Sequence, residues 1–192
     1  MAPRKYEKKK RAETTGETRG RILAASLALH STKGFEATTW QDIADRAGVA
    51  VGTVYYHFPT IDDLVPACST LARSLVPPPT VEVLNGVRGI NKRVGVLVDV
   101  LFRYYTGNQG GMRNLYRDRN RITILDAIGV EIEEGLGVLV RELDPSISKE
   151  AAKNVEALLD FRTWDSFNAR GIPGEVIVQT VSSLVRAVIS KR

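Results

Sequence analysis

The sequence predicts an all-α chain, an N-terminal three-helix helix-turn-helix unit followed by a C-terminal helical bundle. Three observations carry this prediction. Ala44, Gly48 and Val54 stand four and then six residues apart within IADRAGVAVGTV. At that spacing a small residue sits where two helices cross, a glycine takes a left-handed turn, and an apolar residue locks the second helix onto the first. Beyond Leu64 the apolar pattern stays helical. Finally, Pro77, Pro78 and Pro79 break the chain and mark a boundary between domains.

Residues 1–21 carry eight basic side chains against three acids, and the rest of the chain holds 19 of each, so the whole formal excess of +5 lies at the N-terminus. With no apolar periodicity before Ile22, residues 1–16 read as a disordered basic arm. Such an arm suits phosphate neutralisation or entry into a minor groove, or serves only as a solvated tail. A first helix is expected from about Glu17 to Lys33, with Ile22, Ala25, Ser26 and Leu29 on one face and Gly34 as its stop. Thr38 or Thr39 caps the second helix; Thr38 with Gln41 has capping-box spacing, and Asp42 places negative charge in the first turn. The third helix, about Ala50 to His57, is too short to hold alone in water. Val49, Val54 and Phe58 must clamp it, which leaves its other face for a partner.

A fourth helix runs from about Asp62 to Leu75, with Pro66 tolerated near its start. The domains accordingly read as 1–16 (arm), 17–62 (helix-turn-helix) and 63–192 (helical domain). Residues 88–106 and 112–143 read as two longer helices joined by a turn at Asn108–Gly111. Gly95, Gly129, Gly135 and Gly137 inside them each cost about 1 kcal/mol relative to alanine, which points to close packing or to room beside a ligand. Ser148 caps a helix reaching Asn168, and Gly171 with Pro173 precedes the last one. There Ile177, Thr180, Val181, Leu184, Val185 and Val188 form an apolar stripe that either the chain's own core or a second copy must cover.

Composition narrows the function classes. An apolar fraction of 43% in 192 residues supports a sizeable core. The single Cys68 excludes a disulfide framework and a thiol metal cluster. Asp99 interrupts the most apolar run, Val94 to Phe102, so no membrane partner and a cytoplasmic location are expected. An all-α enzyme is disfavoured: there are two histidines, no glycine-rich phosphate loop and no nucleophile motif, and adjacent Glu133 and Glu134 diverge on a helix. No cofactor, metal or catalytic residue is expected.

Residues 18–66 resemble the DNA-binding domain of TetR-family transcriptional regulators. The resemblance runs through Ile22-Leu23, Gly34-Phe35, Thr38-Thr39, Ile43-Ala44, Ala47-Gly48-Val49, Gly52-Thr53-Val54-Tyr55, His57-Phe58 and Asp63-Leu64. The chain departs from the family pattern at Ile61, where lysine is usual, at Ala50, where serine is frequent, and at His30, where an aromatic is common. The resemblance implies a repressor: a homodimer paired through its last two helices, bound to a palindromic double-stranded operator and released by a small, largely apolar effector. A DNA-binding architectural protein without effector is the alternative.

Thr38 and Thr39 are expected to anchor phosphate, and Ala50, Val51, Gly52 and Thr53 to form the start of the recognition helix, with Val51 meeting a thymine methyl and Thr53 a base edge or a phosphate. Tyr55, Tyr56 and His57 clamp phosphates, Tyr55 by family resemblance, while Trp40 either packs in the domain or lies along DNA. Phe102, Tyr105, Tyr116, Phe161 and Trp164 are candidates to line an effector pocket, with Arg103 or Arg117 for an anion; core packing explains each aromatic equally well.

Overall fold

The computed structural model describes the backbone of residues 4–190 and the side chains of residues 15–190. The described residues form helices α1 (Arg4–Thr32), α2 (Trp40–Ala47), α3 (Val51–His57), α4 (Ile61–Leu75), α5 (Ile90–Asp118), α6 (Thr123–Leu143), α7 (Lys149–Leu159), α8 (Phe161–Asn168) and α9 (Gly174–Ser190), with a short 3-10 turn at Val81–Leu84 and no strand among them. They divide into two units. One takes in the chain up to Leu75 together with Arg113–Leu125; the other takes in Val76–Met112 and the chain from Asp126.

In the first unit α1 begins at Arg4 rather than near Glu17, so helical backbone stands in place of the disordered arm expected over 1–16. The physical reason lies in residues 4–13, mostly Lys, Arg, Glu and Ala: these are good helix formers, and extending a helix already nucleated around Ile22 is far cheaper than starting one. Residues 1–3 and the side chains of the arm's basic residues from Arg4 to Arg11 lie outside the described residues. Ile22, Leu23 and Ala25 of α1, Ile43, Ala44 and Ala47 of α2, Val54 of α3, Phe58, and Leu64 and Cys68 of α4 form one buried core. The helix-turn-helix unit thus extends past the expected boundary at residue 62, since α4 contributes to this core and Arg113–Leu125 joins the same unit.

Two expectations for the second half are corrected. The turn predicted at Asn108–Gly111 is absent, and α5 runs straight through it. Asn108 Nδ2 donates to the Tyr104 carbonyl one turn back, and Tyr105 and Met112 are buried on either side, so packing outweighs the glycine cost. The single helix expected over 148–168 breaks at Asp160, whose carboxylate accepts the Arg162 N–H at 2.7 Å as the N-cap of α8. The freed Leu159 carbonyl accepts the Tyr105 hydroxyl at 2.8 Å. In α9, Ile177, Val181 and Val185 of the expected stripe are buried, with Ser182 and Ile189 beside them, while Thr180 and Leu184 of the stripe are exposed along with Val176. No helix among the described residues is long and apolar enough to cross a membrane.

Candidate nucleic-acid interface

The start of α2 is built by a reciprocal cap. The Thr39 N–H and hydroxyl both donate to Asp42 Oδ2 at 2.8 Å, and the Asp42 N–H returns to the Thr39 hydroxyl at 3.1 Å. Lys33 Nζ, 2.7 Å from the same carboxylate, is the largest cause holding the Asp42 carboxyl down to about 2, with the Thr39 bonds next. The cap is therefore Thr39 with Asp42, not Thr38 with Gln41. The Thr38 hydroxyl is committed to the Gly34 carbonyl, and Gln41 Nε2 bonds Asp45 instead. Thr60 and Asp63 repeat this device at the head of α4.

Gly48 closes α2 at φ +65°, and the Val49 N–H that follows donates to the Ala44 carbonyl at 3.0 Å. This tight reversal sets α3 across α2, with Ala44 and Val54 both fully buried at the crossing. Arg21 Nη1 donates to the Ala47 carbonyl at 3.2 Å, occupying an acceptor that the end of α2 leaves open. The Arg19 guanidinium lies 4.7 Å from the Phe58 ring centroid, over a side chain that is itself buried. In the sequence Arg19 and Arg21 carry no signal beyond their charge.

Around α3 the expected residues divide by exposure. Ala50 is the N-cap and makes no side-chain cap bond, as its departure from serine implies. Gly52 is exposed, with open space where a Cβ would stand. Val51 packs partly against the core, and Thr53 is half-buried. Tyr55 and Tyr56 are 46% and 78% exposed, and His57 meets the Tyr56 ring edge-on at 5.2 Å. Trp40 is half-buried and lies 5.0 Å from the Tyr55 ring, so it packs between the head of α2 and α3 while keeping part of its surface exposed. Thr39 is exposed and Thr38 half-buried. Thr39, Trp40, Gly52, Tyr55 and Tyr56 are thus carried on two short helices fixed by the Gly48 turn.

The expected effector residues separate. Phe102, Tyr105, Phe161 and Trp164 are all buried in the second unit, with rings packed around Tyr105 at centroid distances of 5.5 to 6.0 Å. Tyr116 does not join them: it belongs to the first unit, where the Arg119 guanidinium sits 5.5 Å from its ring. Arg103 is paired with Asp99, and Arg117 with Asp118. An open cleft of about 530 Å³ in the second unit is lined instead by Ile90, Arg93, Leu143, Asp144, Pro145, Ile189 and Ser190. Arg93 spans it by donating to the Leu84, Val87, Glu142 and Leu143 carbonyls. No three acidic, histidine or cysteine side chains among the described residues converge to hold a metal ion.

Residues 22–68 match the family described as bacterial regulatory proteins, tetR family. The chain is 51% identical over 57 residues to the HTH-type transcriptional repressor KstR of Rhodococcus jostii, covering 30% of this chain and 26% of that protein. It is 49% identical over 49 residues to KstR of Mycobacterium tuberculosis, covering 26% and 22%. The chain thus matches about a quarter of the length of these curated relatives. Over the whole fold it is similar to a transcriptional regulator from Rhodococcus sp., with a TM-score of 0.71 at 17% identity, covering 90% of this chain and 96% of that one. It is likewise similar to the multidrug binding protein EbrR complexed with imidazole, with a TM-score of 0.65 at 23% identity, covering 89% and 94%.

Proposed function

We propose that this chain, whose residues 22–68 match the TetR family of bacterial regulatory proteins, is a ligand-responsive transcriptional repressor that binds a palindromic duplex operator as a homodimer. The observation that carries the reading is α3: seven residues clamped by Val54 from within, presenting Gly52, Tyr55 and Tyr56 outward beside Thr39. In this reading Thr38 and Thr39, at the head of α2, anchor phosphate. Val51 meets a thymine methyl, Gly52 permits close approach, and Thr53 bonds a base edge. Tyr55, Tyr56 and His57 take phosphates, and Trp40 holds Tyr55 in place. Such a regulator works in the cytoplasm, beside its DNA.

One seven-residue recognition helix touches few base pairs, so two copies on a two-fold axis are needed for useful specificity. The exposed Val176, Thr180 and Leu184, one turn apart on α9, supply an apolar strip for pairing with the α7–α8 arm and α9 of a second copy. EbrR has been solved with imidazole and with ethidium, which supports a small-molecule effector here; its largely apolar character is read from the buried aromatic cluster alone. It would displace rings of the Phe102, Tyr105, Phe161 and Trp164 cluster. Coupling to the operator needs only about 1–3 kcal/mol between two states, and the chain passes between its two units three times, after Leu75, Met112 and Leu125.

Selection of duplexes from a random pool by the full chain tests the reading. A palindromic consensus is expected, bound by a dimer in light scattering. Val51→Ala should alter preference at one position of the site by about 1–3 kcal/mol, whereas Tyr55→Phe should weaken all sequences alike. An unstructured pool after selection, or a monomer at micromolar concentration, would sink the proposal. Hydrophobic compounds that raise the melting temperature without releasing DNA would favour the architectural alternative.

A further inference from the structure

We infer that Asp118, aided by Asn114 and Arg121, is a positioning residue for DNA binding: it grips the loop between α1 and α2 and so sets where Thr39 and the head of α2 stand. The inference rests on the DNA-binding reading above. Asp118 ends α5 and is 2% exposed, yet its carboxylate reaches beyond its own helix. Its Oδ2 accepts the consecutive N–H groups of Phe35 at 2.9 Å and Glu36 at 3.3 Å, a backbone concavity that binds anions. Arg117 holds the same carboxylate through Nε at 2.7 Å and Nη2 at 3.0 Å. Burial works against the charge, but Arg117 and the two N–H groups outweigh it and keep the carboxyl below its usual range.

Two neighbours complete the grip. Asn114 Nδ2 donates to the His30 carbonyl at 2.7 Å and the Ser31 carbonyl at 3.1 Å, satisfying acceptors at the end of α1. Arg121 Nη1 meets both carboxylate oxygens of Glu36, at 2.6 and 2.9 Å. From Phe35 the restraint passes along a very short path. The Thr38 N–H donates to the Phe35 carbonyl at 3.3 Å, the Thr38 hydroxyl to the Gly34 carbonyl, and the next residue is the cap Thr39. A loop tied at Phe35, Glu36 and Thr38 has little freedom left, so α2 starts at one place. Phosphate anchoring from that start needs such placement, because misplacement by about 1 Å is enough to lose well-aimed hydrogen bonds.

The test uses the full chain and the duplex it enriches most strongly from a random pool. Asp118→Asn preserves shape but removes the charge and turns a donor toward donors. It should weaken affinity about tenfold while the enriched consensus and helical content stay as in wild type. A double-mutant cycle separates positioning from general support. If Asp118 acts through the head of α2, the losses from Asp118→Asn and Thr39→Ala overlap, and the double variant is little worse than the poorer single one; strictly additive losses would overturn the inference.

Should Asp118→Asn fail to fold, the exposed Arg121–Glu36 pair carries the test. Arg121→Glu should cost about threefold in affinity, and the exchanged pair Arg121→Glu with Glu36→Arg should restore it. Unchanged affinity in Arg121→Glu counts against the inference. Wild-type protein that enriches no duplex would instead remove the DNA-binding reading and this inference with it, whereas variants matching a wild type that does bind would remove this inference alone.

Discussion

The helix-turn-helix unit and the helical unit that follows are both filled with buried aliphatic side chains, but Gly34 of the first and Gly135 of the second differ in how narrowly the position dictates its residue. At Gly34 the backbone stands at φ +103°, and a Cβ there would fall 1.8 Å from Arg117 Nη2. At Ala44 the side chain is wholly buried where two helices cross. In α6 of the other unit, by contrast, Gly135 looks into open space. A surface that must present a few groups to a partner needs its backbone placed by individual residues.

The largest expected effect tests that difference at its sharpest point. Gly34→Ala must adopt a backbone conformation that L-residues disfavour and must also push the Arg117 guanidinium off Asp118. The backbone strain alone should lower stability by about 1–3 kcal/mol, toward the upper end because the Arg117 guanidinium must also move. Thermal unfolding followed through Trp40, with Trp164→Phe to silence the other tryptophan, should show it. Unfolding at the wild-type temperature would mean that Gly34 is no more constrained than a glycine in α6.

The second effect comes from pH and again singles out the first unit, which contains both histidines. His30 is buried, stacked on Phe35 at 4.4 Å, and its Nδ1 has no hydrogen-bond partner. Burial holds its pKa down to about 4 from 6.5, with Asp118 opposing. The folded state therefore favours neutral imidazole, so its contribution is complete above pH 6.5 and is lost as pH falls from 6.5 toward 4. At 1.36 kcal/mol per unit, the loss by pH 5 is about 2 kcal/mol. His30→Phe should flatten that part of the stability profile; equal slopes in the two proteins would show that His30 is not its source.

The same contrast explains what was legible in the sequence. The Ala44, Gly48 and Val54 crossing could be read because turn chemistry is local: a left-handed residue between two amphipathic segments announces itself. The cap at Thr39 is half legible, since a capping box usually carries Glu or Gln at its third position and the chain uses Asp42 there and Asp63 after Thr60. What failed depended on distant partners. The run Asn108–Gly111 reads as a turn until Tyr105 and Met112 are seen buried beside it. The break at Asp160 interrupts a periodic pattern that continues on both sides. Asp118 could not be read at all, because the N–H groups it holds lie 83 and 82 residues away. Nor does periodicity reveal that Tyr116 leaves the aromatic set, since one long helix carries it into a different unit from Phe102 and Tyr105.

Gly48→Ala has an intermediate effect. Its φ of +65° and ψ of +45° lie in the left-handed well, and the nearest foreign atom to a new Cβ is Arg21 Nη1 at 3.8 Å, so alanine fits but is strained. The expected cost is about 1–2 kcal/mol. Because the turn also aims α3, duplex affinity should fall by more than the loss of folded protein accounts for. A fall that matches the unfolded fraction alone would reduce Gly48 to a helix terminator.

The smallest effect has the opposite sign and completes the comparison. Gly135 lies in the interior of α6, is exposed, and would place a Cβ where nothing stands within 4 Å. Glycine there gives up backbone entropy on folding that alanine does not, so Gly135→Ala should stabilise the chain by about 0.5–1 kcal/mol and leave affinity for the duplex unchanged. The measurement is a denaturant midpoint read through Trp164 in the Trp40→Phe background, beside binding by the otherwise wild-type chain. A stabilised protein with intact binding would confirm that the second unit tolerates residues its pattern does not require. A destabilised one would mean that this face of α6 is covered in solution.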